Sequence, residues 1–328
     1  GLDVMPHYAF AELDKLLGHS PEIVVLPNIP TIDAPQDRPV LDWVKRQNNG
    51  RTILFSWCAG AHVLAAAGVL DGKAATTHWV DIYSLERAYP AVHWQRGVRY
   101  VDQGNILTSA GVTSGIDATL YLLQRLHGSA VMERVAQAIH YPSLQFVDKP
   151  EMQQYELGLA NSIPVLNMAF TWPKQQTGVW LYDGVGEMEL AAVFDVYGAA
   201  GTDQMYSAAA KRSIRSLHGL QVIARRQTAD LPKLDRLIVP GGVNVAEVAA
   251  TLAADSQVHA PLLTLANPST PTFAVEAALE EFARSHNVPT ARFAAKRLEY
   301  RAASLQLTGK PWLLQVFVLP LLIGGLGL

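Results

Sequence analysis

The chain has 328 residues, of which 49% are hydrophobic and 17% are charged, and its formal net charge is −3. This composition is typical of a globular protein with enough residues for two domains. The small net charge excludes a strong electrostatic attraction to nucleic acids, and the single cysteine excludes an intramolecular disulfide. The histidines lack the spacing of zinc ligands, so we predict neither a metal site nor a cofactor.

The first part of the chain alternates short β-prone runs with helical patterns. This alternation predicts an open α/β sheet with helices on both faces. The predicted elements, in chain order, are strands at 4–5 and 23–26, a helix at 40–47, a strand at 53–55, a helix at 59–70, a strand at 73–78, a hairpin of 99–101 with 106–108, and helices at 114–126 and 131–139.

Residues 52–62 are predicted to form a buried strand, a sharp turn and the start of a helix, with Cys58 in the turn. A thiol at such a turn lies beside unpaired backbone N–H groups and the positive end of the helix dipole, which favour the thiolate. We call this turn the elbow. Because free cysteines also commonly fill space in protein cores, the pattern around Cys58 alone leaves a packing role open.

The second part of the chain follows a proline-rich stretch. Residues 141–174 contain four prolines and are predicted to connect two domains. A strand at 178–182 and helices at 188–200 and 273–284 are predicted after the connector.

An internal repeat links the two parts. Residues 219–231 align with residues 1–13 at five identical positions, and residues 237–241 match 24–28 in the same order. We therefore predict a second copy of the first fold. A strand and a helix precede Gly219, whereas the first copy opens at the equivalent position, so an equivalent strand and helix are expected to be missing from the first copy. The second copy has no cysteine and is expected to be degenerate.

The repeat predicts four regions. These are a first domain at 1–140, a connector at 141–177, a degenerate second copy at 178–309 and an apolar tail at 310–328. The tail lies near the lower limit for a membrane span, and the cations before it favour a cytoplasmic globular part. We predict a membrane anchor, with a soluble cytoplasmic protein as the alternative.

Four segments of the first part resemble one known family. They are residues 54–61, 70–79, 105–111 and 114–117. Together they resemble the ThiJ/PfpI family of the class I glutamine amidotransferase-like superfamily, and most closely the sensing domains of AraC-like regulators. The resemblance implies two flavodoxin-like three-layer sandwich domains with mainly parallel sheets, the second copy degenerate.

The resemblance also implies an acid that hydrogen-bonds the elbow cysteine. Residues 182–190 look like the family's first strand and turn, where Glu189 matches that acid, although it belongs to the copy without a cysteine. Three arrangements stay open. The acid comes from a segment before Gly1, which we favour; Glu189 completes the site within the chain or from the second subunit of a homodimer; or the site is incomplete.

If the site is catalytic, Cys58 attacks an electrophilic carbon of a small substrate in a hydrolase- or hydratase-type reaction, and the elbow amides at Ala59 and Gly60 hold the oxyanion. His78 or an acid then moves protons, and Trp57 packs near the pocket. Many hydrolytic family members have a histidine where Ala59 stands, which disfavours protease or amidase activity.

Other roles remain open for the same residues. Ser109 and Asp117 are expected to cap and position the last helix of the first domain. The predicted partner is a small-molecule substrate or ligand, and no basic recognition helix indicates DNA binding. The alternatives are an oxidisable thiol and a non-enzymatic ligand or redox sensor.

Overall fold

The computed structural model describes residues 2–158, 161–255, 258–265, 272–301 and 305–311. The predicted tail from Trp312 onward lies outside these residues. The strands are β1 Asp3–Met5, β2 Ile23–Leu26, β3 Ile53–Ser56, β4 Ala74–Ala75, β5 His93–Trp94, β6 Tyr100–Asp102, β7 Ile106–Ser109, β8 Gln175–Trp180, β9 Asp203–Ala209, β10 Ser213–Arg215, β11 Gln221–Ile223, β12 Arg226–Gln227, β13 Arg236–Val239 and β14 Leu262–Thr264. The helices are α1 Phe10–Leu17, α2 Arg38–Gln47, α3 Ala61–Ala66, α4 Ile82–Ala88, α5 Val112–His127, α6 Ser129–Ala138, α7 Gln145–Asp148, α8 Ser162–Phe170, α9 Glu187–Ala200, α10 Val245–Ala254, α11 Ala274–Ser285 and α12 Val288–Arg297.

The chain divides into two compact units. Among the described residues, the elbow unit contains 8–156 and 298–301, and the second unit contains 2–7, 305–311 and those between 157 and 297. Residues 2–7 therefore belong to the second unit, although the sequence assigns them to the first domain. Residues 298–301 belong to the elbow unit, although the sequence assigns them to the second copy. Helices α7 and α8 lie within the predicted connector.

The elbow unit is a three-layer α/β fold. Its main sheet has the order β2-β3-β7-β6, with β2, β3 and β7 parallel and β6 antiparallel, so the predicted hairpin of β6 and β7 is confirmed. Alternate residues of β3 pack on opposite sides of the sheet. Leu54 packs with residues of α2 and α3, whereas Phe55 packs with residues of α5. The continuous apolar run of β3 follows from this cover on both faces.

Two elements near the elbow are shorter than predicted. The helix expected at 59–70 begins as a 3-10 turn at Cys58–Gly60 and continues as α3 to Ala66. The strand expected at 73–78 is reduced to the two residues of β4. The residues that follow β4 are consequently free of sheet pairing and reach toward the elbow.

The second unit is also an α/β fold with a parallel sheet, of order β12-β9-β8-β13-β14. A separate antiparallel sheet has the order β1-β11-β10. No helix within the residues covered by the structure combines the length and apolarity that a bilayer crossing needs.

Strand β1 pairs with its own repeat. Val4 lies opposite Val222, Asp3 opposite Ile223, and Met5 opposite Gln221. The repeat aligns residues 3–5 with residues 221–223, so Val4 faces its own equivalent, Val222. Because the strands are antiparallel, Asp3 faces the equivalent of Met5, and Met5 faces the equivalent of Asp3. The sequence predicts β1 as part of the first domain; the structure pairs it within the second unit.

The Asp195 carboxyl on α9 is expected to make the stability of the second unit dependent on pH. Burial raises the pKa of Asp195 from 3.8 to about 6. Between pH 4 and 6 the folded chain therefore binds more protons than the unfolded chain, and stability falls as the pH rises. Asp195→Asn is expected to raise the unfolding free energy at pH 7 by about 2–3 kcal/mol and to leave it unchanged below about pH 4. Urea denaturation at both pH values measures this difference, and an equal gain at both would contradict it.

Candidate functional site

Cys58 lies in a strained turn at the end of a buried strand. All residues of β3 are buried, and Cys58 follows them with a backbone φ of 53° before the chain enters α3. A left-handed conformation costs a residue with a side chain about 1–2 kcal/mol, so neighbouring contacts have to hold it in place. The thiol is half-buried and forms no disulfide.

Two hydroxyl groups hold the backbone of Cys58. The Ser109 hydroxyl accepts a hydrogen bond from the Cys58 N–H at 3.4 Å and donates to the Ser56 carbonyl at 3.2 Å. The Thr77 hydroxyl donates to the Cys58 carbonyl at 3.1 Å. Ser109 thus fixes the elbow from β7, and its predicted role as a helix cap is wrong, because α5 begins after Gly111 without a side-chain cap.

Gly60 is required by a close approach of two backbone segments. A Cβ atom at Gly60 would lie 2.0 Å from the carbonyl oxygen of Leu26 on β2. Its N–H donates to the Trp57 carbonyl at 2.8 Å. The amide of Gly60 is therefore occupied in this structure and does not have the free N–H that its predicted oxyanion role requires.

Trp57 and Ala59 flank the cysteine. The Trp57 side chain is 42% exposed and meets the Phe55 ring edge to face, with 5.9 Å between the ring centroids. Ala59 is buried. An exposed indole beside the thiol provides an apolar surface that a small substrate could contact.

His78 is paired with a carboxylate. It follows Thr77 directly, is 8% exposed, and its Nδ1 atom lies 3.5 Å from Asp81 Oδ2. A carboxylate in this position orients the imidazole ring. Asp81 is absent from the sequence prediction, although its spacing three residues after His78 could have indicated it.

Glu299 is a buried carboxyl in the elbow unit that the sequence analysis missed. Its Oε2 atom accepts hydrogen bonds from the Gly111 N–H, at 2.6 Å, and from the Ser114 hydroxyl. Its own carbonyl accepts from Arg99 at 2.7 Å and from the Thr113 hydroxyl at 2.9 Å. These contacts hold a fully buried residue with a φ of 56°.

Asp117 is a structural ion-pair partner. It is fully buried in the second turn of α5, where the Arg99 Nε–H donates to it at 2.6 Å and the Tyr141 hydroxyl at 2.9 Å. Burial raises the pKa of Asp117, and the charge of Arg99 opposes this rise. The prediction that Asp117 caps a helix is wrong, because the helix begins five residues earlier.

These residues belong to a region that matches a known family. The model of the DJ-1/PfpI family matches residues 12–125, which include the elbow, His78 and Ser109. Residues 12–125 are a DJ-1/PfpI family domain. The match confirms the predicted resemblance to the ThiJ/PfpI family.

The relatives of this DJ-1/PfpI domain include enzymes and regulators. Isonitrile hydratase of Pseudomonas putida is 37% identical over 108 residues, covering 32% of this chain and 45% of the enzyme. The HTH-type transcriptional regulator CdhR of Pseudomonas aeruginosa is 33% identical over 98 residues, covering 30% of this chain and 29% of the regulator. A solved DJ-1 superfamily protein from Salmonella typhimurium is 26% identical with a TM-score of 0.34, covering 40% of this chain and 70% of that one. The chain spans less than half the length of these two curated relatives.

Glu189 lies outside the DJ-1/PfpI domain, in the first turn of α9 in the second unit. Its carboxyl folds back against Gly186, where a Cβ atom would lie 2.1 Å from Glu189 Oε2. Burial, with a contribution from the charge of Glu189, raises the pKa of Tyr182 to about 12. The pairing of Glu189 with Cys58 stays a prediction.

Proposed function

We propose that the DJ-1/PfpI domain uses Cys58 as a nucleophile toward a small electrophilic substrate, in a hydratase-type reaction. The observation that carries this proposal is the left-handed backbone of Cys58 at the end of β3, which presents a half-buried thiol at a clamped turn. Nucleophiles of α/β hydrolases occupy the same kind of strained turn between a strand and a helix. Strain of this kind in a protein core is commonly associated with function.

His78 supplies the proton transfers in this proposal. It adjoins Thr77, which is bonded to the Cys58 carbonyl, and its ring is paired with Asp81. The order of thiol, imidazole and carboxylate matches the general arrangement of an activated nucleophile. We assign the oxyanion contact to the Ala59 amide, since the Gly60 amide is engaged by Trp57.

An isonitrile is the substrate class that we propose to test first, since the domain is similar to isonitrile hydratase. The Cys58 thiolate would form a bond to the terminal carbon, and this carbon would take a proton from His78 to give a thioimidate; the nitrogen takes its proton in the next step, when water adds. Water then adds to the resulting thioimidate carbon, the carbon–sulfur bond breaks, and the thiolate is regenerated with a formamide as product. The sum is addition of one water to the isonitrile, with no oxidant or reductant.

We further infer that the second unit is a degenerate copy of the first fold. The repeat aligns β13 with β2, and each of these strands pairs in parallel with the next strand along its part of the chain, β14 or β3. Cys58 is the only cysteine in the sequence, and it lies in the elbow unit. The second unit therefore has no thiol with which to perform the proposed reaction.

The decisive experiment compares the wild-type chain with Cys58→Ser on small alkyl isonitriles, aldehydes and amides. Formation of the formamide, followed by proton NMR, is expected for the wild type and is expected to be undetectable for Cys58→Ser. Circular dichroism of both proteins serves as the folding control. Equal rates in the two proteins would refute the nucleophile. Absence of turnover on the whole panel, with rapid oxidation of the thiol by peroxide, would instead support the oxidisable-thiol function.

A further inference from the structure

A small cavity in the elbow unit lies beside the elbow without including the thiol. Its volume is about 40 Å³, and its lining includes Thr76, Thr77, Trp79, Ala110, Tyr155 and Glu299. Thr77 connects it to the elbow, because the hydroxyl of Thr77 is bonded to the Cys58 carbonyl. A ligand in this cavity would contact residues that position Cys58.

Two lining residues carry buried polar atoms without a hydrogen-bond partner. They are Oε1 of Glu299 and the hydroxyl of Tyr155, which lies near the Arg301 side chain but has no hydrogen bond of good geometry to it. Glu299 is fully buried and Tyr155 is 5% exposed. Buried polar groups are nearly always hydrogen-bonded, so two such atoms at one cavity leave a donor and an acceptor available to a small molecule inside it.

Both groups are held rigidly in place. The other carboxyl oxygen of Glu299 is fixed by Gly111 and Ser114. The Tyr155 ring is stacked on Trp79, with centroids 6.2 Å apart, and the Arg301 guanidinium lies 4.4 Å from the centre of the same ring. A site whose groups are already ordered loses little conformational entropy when it binds a ligand.

The size and chemistry of the cavity define the ligand. One water molecule needs about 10–15 Å³ of such volume, so 40 Å³ accommodates a molecule of about three or four non-hydrogen atoms. The carboxylate oxygen requires a donor, and the hydroxyl of Tyr155 can donate to an acceptor. Arg96 also lines the cavity, but its guanidinium is paired with Glu86, so a second carboxylate would be repelled by Glu299. A primary amide carries one donor group and one acceptor group and no charge.

We propose that this cavity binds a small primary amide, with the amide N–H on Glu299 Oε1 and the amide carbonyl accepting from the Tyr155 hydroxyl. Trp79 and the Tyr155 ring form its apolar walls. Binding there does not depend on any reaction at Cys58, so it holds whether or not the proposed hydratase activity does.

The test uses the full chain carrying Cys58→Ser, so that no chemistry at the thiol contributes. Saturation-transfer NMR with acetamide is expected to show saturable binding with a Kd on the order of 1 mM, the range available to so small a ligand. Tyr155→Phe keeps the ring stacking but loses the hydroxyl, and is expected to weaken binding about 5–10-fold. Glu299→Gln is expected to weaken it at least as much. If the new carbonyl oxygen keeps the hydrogen bonds from Gly111 and Ser114, the new NH2 group faces the N–H donor of the ligand in place of an acceptor.

Matched controls separate the cavity from general effects. Tyr89→Phe removes a tyrosine hydroxyl and Glu12→Gln removes a glutamate carboxylate, each from a residue that does not line the cavity. Both variants are expected to leave the Kd unchanged. Benzamide is expected not to bind, because its ring exceeds the cavity. Absence of saturable binding with both formamide and acetamide would overturn the proposal, as would an unchanged Kd in Tyr155→Phe, which retains the packing of the wild type.

Discussion

Asp117→Asn is expected to lower the unfolding free energy of the elbow unit by about 3–5 kcal/mol. Arg99 is 3% exposed and Asp117 is fully buried, so removal of the negative charge leaves the guanidinium buried without its counter-charge. The substitution is also expected to affect the cavity lined by Glu299, because Arg99 donates a hydrogen bond to the Glu299 carbonyl. Urea denaturation of the variant, followed by circular dichroism, measures the loss.

The matched control for Asp117 is Glu86→Gln. Glu86 is paired with Arg96, and each side chain is 32% exposed, so the solvent compensates for the lost charge. A loss of at most about 1 kcal/mol is expected there. Similar losses for Asp117→Asn and Glu86→Gln would show that burial does not determine the contribution of the Arg99–Asp117 pair.

Gly60→Ala is expected to destabilise the elbow unit by about 3 kcal/mol and to displace the thiol. The added methyl group would lie 2.0 Å from the Leu26 carbonyl oxygen and 3.0 Å from its carbon. Both atoms belong to the backbone of strand β2, which cannot move out of the way as the end of a flexible side chain can. The alkylation rate of Cys58 by iodoacetamide and the urea midpoint of the variant report the two effects.

Gly198→Ala is the control for the change of glycine to alanine. Nothing lies within 4 Å of a Cβ atom at Gly198, which is in the last turn of α9. Because alanine favours helices more than glycine does, this variant is expected to gain up to about 1 kcal/mol. A Gly60→Ala protein as stable as the wild type would show that the elbow tolerates a longer separation between β2 and the turn.

The sequence predicted the features of the elbow unit that are local in the chain. The apolar run at β3, the turn formers between β6 and β7, and the helix after Gly111 each contain their own signal, and the structure has all three elements. The four segments that surround Cys58 predicted the family for the same reason. The four segments follow one another along the chain in the same order as the elements they contain, which are β3, β4, β7 and the start of α5.

Contacts between distant residues could not be predicted in this way. Glu299 accepts a hydrogen bond from the amide N–H of Gly111, which is 188 residues away in the chain. The sequence around Glu299 resembles an ordinary helix end. The sequence also identified Gly60 and Ser109 as important but assigned them other roles. The choice of glycine at 60 depends on the Leu26 carbonyl, and the role of Ser109 depends on the Ser56 carbonyl. Neither neighbour is recognisable before the sheet is assembled.

The pairing of β1 with β11 has the form of a contact between two identical subunits. In a two-fold interface, residue i of one partner meets residue j of the other while j meets i. The three pairs centred on Val4 and Val222 satisfy this rule in terms of repeat positions, although both strands belong to one chain. A substitution at one repeat position therefore changes only half of the contact, whereas in a homodimer it would change both halves. Because the two strands are encoded at different positions of one chain, their sequences can diverge while they keep a shared register.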